Sequence, residues 1–311
     1  MIGTMESARS ALPAPPVVAT EPVMTGELLV ASDGLAATEG ALRIAWLLGE
    51  RDAVPVRVIS VLEPLPVAGP AAELALVNVD VDDERRNRLV AHLRAQVPRV
   101  LGPTVEWPVD VVWGDPVRTI ARLADESSAR LVLLGLTQHS LLDRLLGGET
   151  ALRVMHLAHV PVLQVAPALT SLPRRVVVGM DFSQESVAAL RAAVDLADAD
   201  ATVWLVHVRP RVEMPPGGWE AWDLAYTAGL PTLFDRVKRE VTVSRGVKLE
   251  VAEARGAPAA ELLTFADHVD ADLIAVASHG HSVIERLVIG SVTSGVVRAS
   301  SRSVLVTPRV S

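Results

Sequence analysis

Ala271-Asp272-Leu273-Ile274-Ala275-Val276-Ala277 answers Ala129-Arg130-Leu131-Val132-Leu133-Leu134-Gly135 from 142 residues away, and this pair decides the fold. Each is a short, continuous apolar run, the pattern of a strand buried on both faces of a parallel sheet. Outward from it, at the same spacing, Gly290 answers Gly148, and Ser301-Arg302-Ser303-Val304-Leu305 answers His159-Val160-Pro161-Val162-Leu163. Upstream, Asp181 after Val177-Val178-Gly179-Met180 answers Asp33 after Leu29-Val30-Ala31-Ser32 at a spacing of 148, so the first copy holds six extra residues. A repeat this long is a duplicated domain rather than a solenoid unit of roughly 20–50 residues.

The 311 residues suffice for two such domains, and 50% are hydrophobic, so each can bury a core. Only 3% are aromatic, which leaves Val, Leu, Ala and Ile to fill it. A net charge of −8 argues against a general nucleic-acid or anionic-membrane surface while leaving room for a local polyanion pocket. The absence of cysteine removes disulfides and thiolate metal sites. No apolar run approaches the roughly 18 residues of a membrane helix, and Pro13, Pro15 and Pro16 interrupt the Ala-, Thr- and Ser-rich opening segment. The expectation is a cytoplasmic protein with a disordered tail over residues 1–25.

In the second copy, strands are expected over Val176–Met180, Thr202–Val208, Val247–Ala254, Leu273–Ala277 and Ser303–Thr307. Helices are expected through Val187–Ala197 with Ser183 as cap, before Gly246, from Gly256-Pro258 to Ala266, and from Gly290 to Ala299. The first copy repeats this with strands near Leu28–Ser32, Val56–Leu62, Thr104–Val112, Leu131–Gly135 and Val162–Val165. A charge run, Asp80 to Arg86, reads as a solvated helix face. Alternating strands and helices imply parallel strands with right-handed crossovers. The reading is α/β, with domains over residues 26–168 and 173–311, each a doubly wound five-stranded parallel sheet.

Ligands of such sheets lie beyond the carboxyl ends of the strands. Asp33, Gly114, Gly135, Asp181, Gly256 and Ala277 all fall there. Gly280 follows in a loop, and Gly290-Ser291-Val292 opens a helix, whose free N–H groups and dipole suit an anion. Asp181, acceptor-only when ionised, suits a ribose hydroxyl. The plainer readings are an Asp that caps its helix and glycines at 114 and 256 that permit tight turns. His207 reads as a satisfied core histidine, and His156 and His159 as residues of a helix's last turn. Trp219 and Trp222 read as cover for the core edge. His279 and His281 have no carboxylate placed with them as metal partners.

Asp181-Phe182-Ser183, Leu205-Val206-His207-Val208 and Ser278-His279-Gly280 followed by Ile289-Gly290-Ser291-Val292-Thr293 together resemble the universal stress protein family. The likeness spans Glu27 to Arg309. It implies a flavodoxin-like, adenine nucleotide α-hydrolase-like fold, dimerisation through the last strand, a cytoplasmic setting and ATP as ligand, with Mg2+ as its counter-ion. It points to Asp181, Val208, Gly280, Gly290 and Ser291 in the second lobe. Ala277 departs from the family's first glycine. In the first lobe Gln138 replaces the second glycine, and Gly148-Glu149-Thr150 stands where Gly-Ser is expected. A carboxylate there would satisfy the helix end itself and repel a triphosphate. The two lobes are expected to form an internal pseudo-dimer through Val162–Val165 and Val304–Val306, with a homodimer of the whole chain besides. No residue set suggests efficient catalysis. The alternatives are a stress interaction protein with both crevices degenerate, or a slow ATP-hydrolysing enzyme.

Overall fold

The computed structural model describes residues 26–64, 78–136, 150–209, 219–243, 245–278 and 290–309. Lobe 1 runs β1 (Leu28–Ala31), α1 (Glu39–Asp52), β2 (Val56–Leu62), α2 (Asn78–Leu101), β3 (Val109–Trp113), α3 (Pro116–Glu126), β4 (Leu131–Gly135), a helix α4 over residues 150–157, and β5 (Val162–Val165). Lobe 2 runs β6 (Arg175–Gly179), α5 (Gln184–Leu196), β7 (Thr202–Arg209), α6 (Trp219–Glu240), β8 (Lys248–Arg255), α7 (Pro258–His268), β9 (Leu273–Ala277), α8 (Ser291–Ala299) and β10 (Ser303–Thr307).

The strands form one ten-stranded sheet in the order β3-β2-β1-β4-β5-β10-β9-β6-β7-β8. Each lobe is the flavodoxin-like, doubly wound layer arrangement expected. Every neighbouring pair is parallel except β5 with β10, whose antiparallel register sets Leu305 opposite Leu163. The pairing of terminal strands is therefore made inside the chain. It is buried on both faces: Leu163 and Leu305 enter one core, Val162, Val304 and Val306 the other. Alternation sorts each strand between these cores. Leu28 and Val30 face α1, α2, α5 and α6, and Leu29 and Ala31 face α3, α4, α7 and α8.

Helix starts follow the sequence signals. Ser183 Oγ accepts from Ser186 N–H at 3.1 Å at the head of α5, and Asp115 Oδ1 from Arg118 N–H at 2.8 Å before Pro116 of α3. The charge run lies in α2, with Asp83, Glu84 and Arg86 exposed. One strand needs correction. β3 begins at Val109, not Thr104, because Val105 closes a turn onto Gly102 O and Pro108 has no N–H to give the ladder. Among the described residues no helix is long and apolar enough to cross a membrane.

Candidate functional site

The strand order reverses between β1 and β4, and again between β6 and β9, so each lobe has a switch point where a crevice can open. Backbone hydrogen bonds show how it opens. Past β6, Met180 N–H bonds outward to Val206 O of β7, while past β9, Ser278 N–H bonds outward to Thr307 O of β10 (both 2.9 Å). Each strand end keeps its outer neighbour and leaves its inner one. Lobe 1 repeats this with Ser32 N–H to Ile59 O and Leu136 N–H to Val165 O. The ladder of β6 with β9 stops at Val178 opposite Ala275, one residue short of the lobe 1 equivalent, Ala31 opposite Leu134.

Asp181 forms one lip of the lobe 2 crevice. Its Oδ1 accepts from Ser183 N–H at 3.0 Å and from the Ser183 hydroxyl. Asp33 does the same in lobe 1, accepting from Leu35 N–H at 2.9 Å. Both aspartates thus close a turn two residues on, and helix capping falls to Ser183 in lobe 2. The other lip is the head of α8. Gly290 N–H donates to Ser278 O at 2.9 Å, and Thr293 Oγ1 donates to Ala277 O at 2.6 Å. These two bonds tie the helix to the end of β9. Ser291 is exposed at the first helical position, and Val292 is half-buried behind it. Their N–H groups are among those a helix start leaves without an intrahelical partner. Ala277 is itself half-buried.

An aromatic cluster backs the Asp181 lip. Phe182 sits in the left-handed region (φ 64°), where bulky side chains are rare, and its lobe 1 counterpart is Gly34 (φ 82°). The Phe182 ring lies 4.8 Å from His207 and edge-on to Phe234 at 5.1 Å between centroids. Buried His207 is satisfied at both nitrogens, with Nδ1 2.7 Å from Met180 O and Nε2 2.7 Å from Tyr226 Oη. A carbonyl only accepts, so Nδ1 carries the hydrogen. Burial pushes the Tyr226 hydroxyl above its ordinary value against the pull of Arg209, so Tyr226 stays protonated and able to donate. Val208 follows His207 near the end of β7, half-buried, and packs on the opposite face of the sheet from this cluster.

Lobe 1 is tighter. A short 3-10 turn, Ala36–Thr38, follows Asp33, and a Cβ on Gly135 would stand 2.3 Å from Ala37 O. The first turn therefore presses on the end of β4. Around it, Ser32 Oγ lies 2.9 Å from Thr38 Oγ1, and Gln96 Nε2 donates to Gly34 O at 3.2 Å.

Gly114 (φ 154°) and Gly256 (φ 152°) occupy equivalent strand ends that require glycine. Their N–H groups donate to Leu62 O and Arg209 O at 3.0 Å, and a Cβ would collide with Thr119 Oγ1 and Glu261 Oε1. His159 lies beyond α4 rather than in its last turn, and bonds Asp125 through Nδ1 at 2.8 Å. Gly280, Gly148, Gln138, Glu149, His279, His281 and the tail lie outside the described residues, as do the side chains of Trp219 and Trp222. Sequence reasoning missed Phe182, Tyr226 and Thr293. The one available signal was an aromatic residue at 182 where the repeat has Gly34.

The profile of the Universal stress protein family matches residues 24–166 and again 173–308. A universal stress protein of Mycolicibacterium smegmatis is 28% identical over 290 residues, covering 90% of this chain and 96% of that protein. One from Methanocaldococcus jannaschii is 32% identical over 142 residues, covering 44% of this chain and 82% of its own length. Among solved structures, a universal stress protein from Archaeoglobus fulgidus superposes with a TM-score of 0.63 at 21% identity, over 92% of this chain and 97% of that one, a likeness of fold. With both halves matched in tandem, the chain belongs to the universal stress protein family.

Proposed function

We propose that this universal stress protein binds an adenine nucleotide, ATP foremost, in the lobe 2 crevice and uses occupancy as a regulatory signal to a protein partner. The observation that carries the reading is the anchoring of α8 across from Asp181, on either side of strand ends that part. Asp181 would accept from the ribose hydroxyls, the Val208 backbone would meet the base, and Gly290, Ser291 and Val292 would receive phosphate oxygens. Exposed N–H groups and the positive end of the α8 dipole favour an anion there. Among the described residues no three metal-ligating side chains converge, so Mg2+ accompanying the nucleotide would be held by the phosphates. A homodimer of the whole chain would need a surface other than β5 and β10, which are already paired.

Calorimetry of the full chain with ATP tests this. Saturable binding is expected, with a loss of about tenfold or more on Asp181→Ala, the size of a lost hydrogen bond to a charged group. ATP is expected back intact after hours with saturating protein. No binding at millimolar ATP would sink the reading, and turnover abolished by Asp181→Ala would replace it with an enzyme.

A further inference from the structure

At the opposite, amino-terminal end of the lobe 1 strands is a cavity of about 250 Å³ between the last turn of α1 and the starts of β2 and β3. Trp46 and Trp107 line it, together with Glu50, Glu106, Gly49, Val54 and Val56. The two indoles are half-buried and the two carboxylates exposed.

The walls are fixed by backbone. Val54 N–H donates to Gly49 O at 3.2 Å, closing the turn after α1. A Cβ on Gly49 would meet Val56 Cγ2 at 2.9 Å, so the glycine lets helix and strand approach here. Among the described residues, neither Glu50 nor Glu106 has an ion pair, and no cation of the chain lies over Trp46 or Trp107. Such a contact does occur elsewhere, Arg85 over Trp113 at 5.4 Å.

Lobe 2 supplies an internal reference. By strand register and helix alignment, Val194 stands in the place of Trp46, Leu249 in that of Trp107, and Lys248 in that of Glu106. Asp198, the counterpart of Glu50, is neutralised by Arg174 at 3.6 Å. The shared fold thus needs neither the indoles nor the negative charge. Among the described residues, lobe 1 alone combines two indoles with two uncompensated carboxylates around a cavity.

We propose that this cavity is a binding site for a compact organic cation, an alkylammonium group. A cation seated over an indole face is attracted through the ring quadrupole, Glu50 and Glu106 add a negative field, and Val54 and Val56 receive the methyl or methylene groups. At 250 Å³ the space is below the roughly 300–1,000 Å³ of drug-sized pockets, which limits the ligand to a small head group. The site is separate from the nucleotide crevice, and its test does not depend on nucleotide binding.

The full chain is titrated by calorimetry and tryptophan fluorescence with choline, and in parallel with its neutral isostere carrying carbon in place of the quaternary nitrogen. An N-acetyl-lysine amide arm separates a free quaternary ammonium from a basic side chain as the source. Saturable choline or lysine-amide binding is expected, with the isostere weaker by about tenfold, the scale of a desolvated cation–π contact. Trp107→Leu should weaken binding by a similar factor. The double variant Glu50→Gln, Glu106→Gln changes only exposed groups, so its folding is not at stake. It should cost about threefold at low salt, fading as salt rises. The proposal is overturned by equal binding of the neutral isostere, or by unchanged affinity in the double Gln variant. It is equally overturned if neither cation binds up to about 10 mM, an order above the roughly millimolar constant that so few contacts allow.

Discussion

Asp52→Asn tests how the two lobes hold each other. Asp52 ends α1, and its carboxylate receives a forked pair of bonds from Arg51, Nε to Oδ1 at 2.7 Å and Nη2 to Oδ2 at 2.9 Å. Arg130 adds a third bond, from Nη2 to Oδ2 at 2.5 Å. Held in this way, Arg51 reaches into lobe 2 and donates to Asp195 O at 2.6 Å and Ala197 O at 3.0 Å, two carbonyls at the end of α5. Asparagine keeps the shape and removes the charge, leaving two mostly buried guanidiniums, 18% and 12% exposed, without it. Hydrogen bonds to charged groups contribute about 1.5–3 kcal/mol, and partial solvent screening brings the expected cost to about 1–2 kcal/mol. In a protein this large that lowers Tm by roughly 2–4 °C. Burial opposes ionisation of Asp52, but the bonds and charges of Arg51 and Arg130 outweigh it and hold the folded pKa below the ordinary value. A depressed carboxylate contributes stability that is present above the unfolded value, about 3.9, and lost as pH falls through the folded one. Thermal denaturation from pH 7 down to pH 3 should show a deficit in the variant that closes with acid. Equal Tm values at pH 7, or a deficit unchanged at pH 3, would refute the electrostatic account.

Asp195 behaves oppositely. It lies in the last turn of α5, where a negative charge meets the negative helix end, and burial raises its pKa despite Arg130, Arg245 and Arg51. A raised carboxylate favours the fold while neutral and loses that contribution as pH climbs through the folded value. Asp195→Asn should therefore stabilise by about 0.3–1 kcal/mol at pH 7 and give no gain near pH 3, read by the same melts. In lobe 1, the double variant Gln138→Gly, Glu149→Ser restores the family's residue types but leaves Ala37 against Gly135. Calorimetry of that variant in an Asp181→Ala background should show no gained ATP affinity, and a gain would mean that the Ala36–Thr38 turn does not obstruct the site.

What could be read from the residues alone followed from how local each signal is. Strands buried on both faces show as unbroken apolar runs, so β4, β5, β9 and β10 stand where Leu131–Gly135, Val162–Val165, Leu273–Ala277 and Ser303–Thr307 imply. The edge strand β3 was misread because alternation continues through Val105 and Trp107, while pairing with β2 starts only past Pro108. The site was half legible for a related reason. Parallel topology brings every strand's carboxyl end to one side, which gathers Asp181, Val208, Ala277 and Gly290 without any knowledge of side-chain packing. Contacts set by register between distant segments leave no such trace. Thr293 Oγ1 on Ala277 O is one, Phe182 wedged between His207 and Phe234 is another, and Trp46 facing the same cavity as Trp107 is a third. Duplication makes these contacts interpretable. Each lobe is a control for the other, since both satisfy the same sheet and the same two cores. Positions where one copy departs from the other, Phe182 for Gly34, Ala277 for Gly135, and Trp107 for Leu249, are therefore free of the fold's common demands. The cause of each difference must be local to its own lobe, which is why the two proposed sites, at opposite ends of the strands, rest on positions where the copies differ.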